Sequence, residues 1–260
     1  MNILEKLAAL SRERVAADQQ AVPETEMRTM AEALGPGSGS TFLSALRKPS
    51  LSFICELKKA SPSRGLISPD FPYLDIARAY ESAGADCISC LTEPEYFLGS
   101  DQIFRDVRSE ISLPMLRKDF TVSAYQLYQA RVLGADAALL IVSLLDIHTL
   151  AAYLDLCSRL GLAALVETHD RAEIETALSA GAEIIGVNNR NLKDFSVNFD
   201  NATRLRDLIP PSCVYVAESG VRTFEDVDRL RSIGADAFLV GETLMRASDP
   251  AQALRALKNP

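Results

Sequence analysis

Five short apolar segments of this sequence each end on polar or charged side chains, an arrangement that is costly unless those groups are paired, solvated or used. The segments close as Cys55-Glu56-Leu57-Lys58, Leu116-Arg117-Lys118-Asp119-Phe120, Leu165-Val166-Glu167, Gly186-Val187-Asn188-Asn189-Arg190 and Val216-Ala217-Glu218-Ser219-Gly220. Alternate residues of an extended chain share a face. Glu56 therefore goes with Lys58, Lys118 with Leu116 and Phe120, and Asn188 with Arg190, while Leu57 falls on the opposite face. Two lysines and three glutamates at one end of five strands form either a ring of structural ion pairs or a crown for acid–base work. Their place at C-terminal strand ends favours the crown. A lysine in a dry pocket is suited to give up a proton as a general acid, with its pKa expected to fall toward neutrality through burial or a neighbouring lysine.

Two later turns have the make-up of a phosphate cradle: Ser219-Gly220-Val221 and Val240-Gly241-Glu242-Thr243, the second running into a short helix, ETLMRAS. Glycine lets a backbone amide approach an anion closely, and a helix start favours negative charge. The loop Ala60-Ser61-Pro62-Ser63-Arg64-Gly65 reads either as a third arm of that cradle or as a plain turn. A formal net charge of −8 (27 Lys+Arg against 35 Asp+Glu) argues against nucleic acid and anionic membranes as partners. A small anionic substrate would then rely on local cations. The five cysteines include one lone CxxC, Cys87 and Cys90, read as small buried hydrophobes rather than a zinc or redox pair. That usage suits a reducing cytoplasm. With two histidines, His148 and His169, no metal site is expected. The N-terminus lacks the long apolar core of a secretory signal, and no stretch approaches the ~20 apolar residues of a membrane span.

The elements that must hold these groups follow from a repeat. Gly-Ala-Asp occurs at 84–86, 134–136 and 234–236, and Gly-Ala-Glu at 181–183. Each is preceded by a helical pattern and followed at once by an apolar run, so each glycine is expected to end a helix in the left-handed conformation before a strand begins. With the intervening runs LSFICELK, LPMLRKDF, LAALVETH and CVYVAESG, eight strands alternate with helices, including 122–133, 146–160, 170–180, 200–208 and 223–233. The pattern predicts a parallel sheet covered by helices, and eight units in about 200 residues fit a single (β/α)8 TIM barrel. A doubly wound sheet is the alternative, but no GxGxxG follows the first strand. Residues 47–260 are assigned to the barrel. Residues 1–46 form an N-terminal helical extension, with Ile3, Leu4, Leu7 and Leu10 at helical spacing, and GPGSGS (35–40) is expected to be a flexible joint. The extension is either dispensable or a lid over the barrel mouth.

The ordered set CELKKASPSRG, EPEYFLGS, LPMLRKDF, LVETHD, IGVNNRNL, VAESG and VGETLM closely resembles the indole-3-glycerol phosphate synthase family of tryptophan biosynthesis, from about residue 3 to the end. The resemblance implies ring closure of 1-(2-carboxyphenylamino)-1-deoxyribulose 5-phosphate to indole-3-glycerol phosphate, carbon dioxide and water, without metal or organic cofactor. It implies Lys118 as the general acid, and Glu167 as the carboxylate that stabilises the cation and assists loss of water. Lys58 would lie near the phosphate and carboxylate, with Glu56 and Asn188 as active-site partners. It implies Glu218 and Ser219 as a substrate-binding pair, with Gly220, Gly241 and the amide of Glu242 as the phosphate cradle. Ser61 lies in the matching loop, while Phe97, Phe120 and Pro62 would wall the aryl pocket, and Arg190 would support the carboxylate end. Glu242 stands where serine can occur, and its side chain is expected to point away. A non-catalytic sugar-phosphate binder and another phosphate-barrel isomerase are the competing readings; weak association with other enzymes of the pathway is a further expectation.

Overall fold

A computed structural model describes residues 2–191 and 195–259. Eight parallel strands close into a barrel in chain order: β1 (Ser52–Leu57), β2 (Cys87–Leu91), β3 (Met115–Lys118), β4 (Ala137–Ile141), β5 (Ala163–Thr168), β6 (Ile184–Asn188), β7 (Val214–Glu218) and β8 (Ala237–Val240), which pairs back to β1. Closure excludes the doubly wound alternative. Twelve helices are seen among the described residues: α1 (Ile3–Ala21), α2 (Glu24–Ala33), α3 (Gly39–Leu46), α4 (Tyr73–Ser82), α5 (Asp101–Glu110), α6 (Ala124–Val132), α7 (Ile147–Leu160), α8 (Arg171–Ala180), α9 (Asp200–Leu205), α10 (Phe224–Ser232), α11 (Glu242–Met245) and α12 (Pro250–Lys258).

The Gly-Ala-Asp repeat works at the barrel floor, where the strands begin. Gly84, Gly134, Gly181 and Gly234 all take positive φ, from +71° to +93°, a conformation other residues enter at a cost. The aspartates then tie each new strand to the one before. Asp86 Oδ2 accepts from the Phe53 amide of β1 at 2.8 Å, Asp136 Oδ2 from Met115 of β3 at 2.7 Å, and Asp236 Oδ2 from Tyr215 of β7 at 2.7 Å. Inside, Ile54, Leu116, Leu139, Leu165, Val216 and Leu239 fill the barrel. Leu57, Cys90, Val166 and Val187 face the helices instead. Cys87 and Cys90 are buried free thiols on opposite faces of β2, and burial pushes both well above the usual thiol range.

The N-terminal segment spans the barrel from mouth to floor. At the mouth, Ser11 Oγ of α1 donates to the Phe120 carbonyl at 2.7 Å, and Arg14 grips Asp119 with contacts of 2.6 and 2.7 Å. Along α6, the Tyr125 hydroxyl donates to the carbonyls of Asp18 and Val22, and Arg131 reaches those of Leu34, Gly35 and Pro36. At the floor, Phe42 and Leu46 of α3 are fully buried against the barrel interior. The expected flexible joint is instead close-packed. A β-carbon at Gly37 would lie 2.4 Å from the Gly161 carbonyl oxygen, and one at Gly39 would lie 2.3 Å from the Ala163 amide nitrogen. The Gly39 amide also donates to Gly161 at 2.8 Å. The glycines serve close approach of two backbones, a use their composition does not distinguish from flexibility.

Candidate active site

The strand alternation that lines the barrel with Ile54, Leu116, Leu165, Ile184 and Val216 brings Glu56, Lys118, Glu167 and Glu218 inward one step nearer the C-terminal ends, and Asn188 two steps, past Gly186. They border a cavity of about 320 Å³ at the mouth. Every site residue expected from the sequence lines it: Glu56, Lys58, Ser61, Pro62, Phe97, Lys118, Phe120, Glu167, Asn188, Arg190, Glu218, Ser219, Gly220, Gly241 and Glu242.

Lys118 is the hub. Its Nζ donates to Glu167 Oε2 and to Glu218 Oε2, each at 2.9 Å. Burial acts to lower the ammonium's pKa, but Glu167, Glu218 and Glu56 outweigh it and hold Lys118 above the ordinary lysine range. The expected fall toward neutrality is therefore reversed, because two carboxylates at hydrogen-bond distance count for more than dehydration or a neighbouring lysine. The carboxylates divide unequally. Burial raises Glu167, but Lys118, His169 and the Asn188 amide (3.1 Å to Oε1) bring it down. Glu218 is pushed up, to about 7, chiefly by burial, with Lys118 opposing and Glu167 adding. Its Oε1 is buried without a hydrogen-bond partner.

Two glycines make room for these acids. A β-carbon at Gly186, in the middle of β6, would stand 2.2 Å from Glu218 Oε1, and one at Gly241 would stand 2.5 Å from Glu56 Oε1. Gly241 thus has a steric duty beyond presenting its amide. Glu56 accepts from Lys58 Nζ at 2.5 Å. The neighbouring Asp119, which places the end of β3, is pushed up by burial but held below the usual carboxylate range by Arg14 and Arg117, and Thr92 donates to it at 2.7 Å.

The remainder of the cavity sorts into an apolar side and a side of glycine turns and arginines. Phe97 and Phe120 stand 6.0 Å apart, centroid to centroid, and Pro62 joins them, with Ile3, Leu4 and Leu7 of α1 completing the lining. Opposite, Ser219 (φ +67°) and Gly220 (φ +100°) take consecutive left-handed conformations beside Gly241. Such strain in a non-glycine residue marks functional sites. One expectation is corrected here. Glu242 does not point away; it lies at the cavity with Oε1 2.8 Å from Arg64 Nε, and also meets Arg246 at 3.4 Å and Arg190 at 3.5 Å. Arg190 also contacts Ser63 and the Phe195 carbonyl. Three guanidinium groups thus converge on one carboxylate. The loop after β1 is a tight hairpin, Ala60–Ser61 against Gly65–Leu66, whose Ser63 and Arg64 reach the cradle. Sequence reasoning had not placed Arg222, Arg246 or Gly186 at the site. For Gly186 a signal existed, an isolated glycine within an apolar strand; the two arginines lie beyond the strand ends and carried none.

A family model described as indole-3-glycerol phosphate synthase matches residues 4–257. Indole-3-glycerol phosphate synthase of Ruminiclostridium cellulolyticum is 51% identical over 256 residues, covering 98% of both chains. That of Lacticaseibacillus paracasei is 45% identical over 256 residues, again with 98% of both covered. The chain belongs to the indole-3-glycerol phosphate synthase family. It is accordingly a carboxy-lyase of tryptophan biosynthesis acting on a small sugar-phosphate substrate, and neither the non-catalytic binder nor the isomerase reading is favoured. Among solved structures, 3-hexulose-6-phosphate synthase from Salmonella typhimurium has a TM-score of 0.65 at 13% identity, over 80% of this chain and 96% of that one. KGPDC from Streptococcus mutans has a TM-score of 0.61 at 17% identity, over the same shares. Both show the barrel fold alone. Among the described residues, no helix is long and apolar enough to cross a membrane.

Proposed function

We propose that ring closure in this chain is driven from Lys118, with the work divided between the two sides of the cavity. The observation that carries this reading is the Lys118 ammonium bridging Glu167 and Glu218 at 2.9 Å on either side. The phosphate is the handle, taken by the amides of Ser219, Gly220, Gly241 and Glu242 with Lys58 and Arg190 nearby. The aryl ring rests between Phe97, Phe120 and Pro62, under Ile3, Leu4 and Leu7, and α1 acts there as a lid.

Lys118 gives its proton to the ketone oxygen as the aryl carbon attacks. In the ground state the two carboxylates hold that proton firmly. As attack proceeds, positive charge spreads over the ring and the same carboxylates turn toward it, so the hold on the Lys118 proton weakens when transfer is required. Glu167, ionised and steadied by Asn188, bears most of this cation. Loss of carbon dioxide restores aromaticity and needs mainly orientation in a dry pocket. Water then leaves with Glu167 assisting as base, and Glu56 with Lys58 makes a second acid–base pair on the cradle side. Its buried free thiols suit the reducing cytoplasm, where we place the protein.

Glu167→Gln preserves shape and the Asn188 contact while removing the charge. In single-turnover reactions with the carboxyphenylamino-deoxyribulose phosphate, followed by indole fluorescence, it should slow chemistry by about 10²–10³-fold. Substrate affinity should stay within a few-fold. Near-normal chemistry in a folded variant would remove Glu167 from the assigned role.

A further inference from the structure

The mechanism leaves one half-buried ionisable group beside the reacting centre unused. His169 directly follows β5 and is largely covered, with its side chain 18% exposed. Its Nδ1 is 3.0 Å from Glu173 Oε2, and its backbone amide donates to the same oxygen at 2.7 Å. Its Nε2 faces Glu167 Oε1 at 3.5 Å and has no hydrogen-bond partner. A carboxylate therefore stands off each ring nitrogen. Either neutral tautomer would aim a lone pair at one of them, whereas the imidazolium presents an N–H to both.

The surroundings of the ring agree from every side. Glu167 faces it from β5, Glu173 from α8 and Glu218 from β7, while Lys118 of β3 lies beyond Glu167. Asn201 of α9 donates to the His169 carbonyl at 3.1 Å, with Arg204 donating in turn to Asn201. Burial acts to lower the ring's pKa, yet Glu173 and Glu167 carry it above the ordinary histidine range.

We propose that His169 is a positioning residue for the reaction: an imidazolium anchored by Glu173 that serves Glu167 as its standing counter-cation after Lys118 has given up its proton. The inference rests on the reading of Glu167 given above. Before the reaction Glu167 faces two cations, Lys118 and His169. Proton transfer to the ketone oxygen makes Lys118 neutral, and the cation on the substrate vanishes when carbon dioxide leaves. In that interval a buried carboxylate with no cation beside it would take up a proton. His169 keeps it ionised, and so able to act as the base in loss of water.

The test uses the full chain. Its two histidines make imidazole NMR assignable, with His148→Gln identifying the second signal. His169 should titrate above His148, and both Glu173→Gln and Glu167→Gln should lower it. His169→Gln keeps an N–H donor but no charge; it should reduce kcat about tenfold with KM within two-fold. In the wild type kcat should fall as pH rises through the His169 titration, and that limb should vanish in His169→Gln. Should His169→Gln fail to fold, Glu173→Gln must move the limb to lower pH. The proposal is overturned if His169 is neutral throughout the range above pH 5. It is equally overturned if both variants keep wild-type kcat and pH profile while Glu167→Gln is inactive. Full activity in Glu167→Gln would instead bring down the role assigned to Glu167, and this inference with it.

Discussion

The barrel carries two sets of largely buried carboxylates, one at each end, and they are held in opposite ways. At the floor, Asp86, Asp136 and Asp236 each accept from a backbone amide of the preceding strand; Asp136 also bonds Arg108 at 3.0 Å and Ser38. At the mouth, Glu56, Glu167 and Glu218 are held by side chains: Lys58, Lys118 and the Asn188 amide. An amide cannot leave or change its charge, so the floor acids fix the geometry of strands. A lysine can give up its proton and a substrate can replace it, so the mouth acids stay poised. The same functional group thus serves architecture at one end and, in the mechanism we propose, chemistry at the other, in line with the division of labour typical of such barrels.

That contrast can be broken from either end. The largest effect belongs to Lys118→Ala, which should lower kcat by about 10³-fold while leaving binding of inorganic phosphate, measured calorimetrically, nearly unchanged. A rate within tenfold of wild type would place the acid elsewhere. Next comes Gly186→Ala, whose new methyl would overlap Glu218 Oε1. A drop in kcat of about 10²-fold is expected from misplacing one reacting group, with partial recovery when the shorter Glu218→Asp is added. Lack of recovery would show that the damage lies in β6 itself. At the floor, Asp136→Ala strands the Met115 amide and takes the ion pair from Arg108, which keeps the Ile111 carbonyl. It should cost about 2–3 kcal/mol in urea denaturation yet leave kcat per folded molecule intact; a kcat loss larger than the stability loss would blur the two ends.

Arg14→Ala tests the link between α1 and the mouth. Asp119 retains Arg117, at 3.5 Å, so about 1–2 kcal/mol of stability should be lost, and KM should rise several-fold as Ile3, Leu4 and Leu7 loosen over the aryl side. The smallest effect concerns pH. Glu218, raised to about 7 in the folded protein, binds its proton more tightly there than in the unfolded chain. Its contribution is favourable below about pH 4.5 and is lost as pH climbs toward 7. Glu218→Gln should flatten that decline, so its melting temperature relative to wild type should improve from pH 5 to pH 8. A constant difference across the range would mean Glu218 is ionised throughout.

Much of this site was readable because strand alternation is a strict rule. Knowing that Glu56, Lys118, Glu167, Asn188 and Glu218 end apolar runs in inward register is enough to gather them at one mouth. The left-handed glycines of the repeat were equally visible, since helix ends and strand starts are local events. What escaped depends on distances between elements. The direction of the Lys118 shift rests on two carboxylates from β5 and β7 arriving at 2.9 Å, and no spacing within β3 contains that. Glu242 was misplaced for the same reason, because Arg64 and Arg246 approach from other parts of the chain. Residues 35–40 looked flexible because a glycine chosen for tight contact and one chosen for freedom are the same residue.

The route of the N-terminal segment bears on how the chain is made. Helices α1 and α3 are synthesised before the residues that build the resting places of Leu4, Leu7, Phe42 and Leu46: Asp119 and Phe120 at the mouth, Gly161 through Ala163 and Ile184 at the floor. Until those residues exist, the apolar faces of these helices stay uncovered: α1 waits for the end of β3 and the start of α6, and α3 for the start of β5. An early-made part of the chain therefore docks on parts made after it. Molecules caught before that docking would expose Leu4, Leu7, Phe42 and Leu46 and be in need of protection from aggregation.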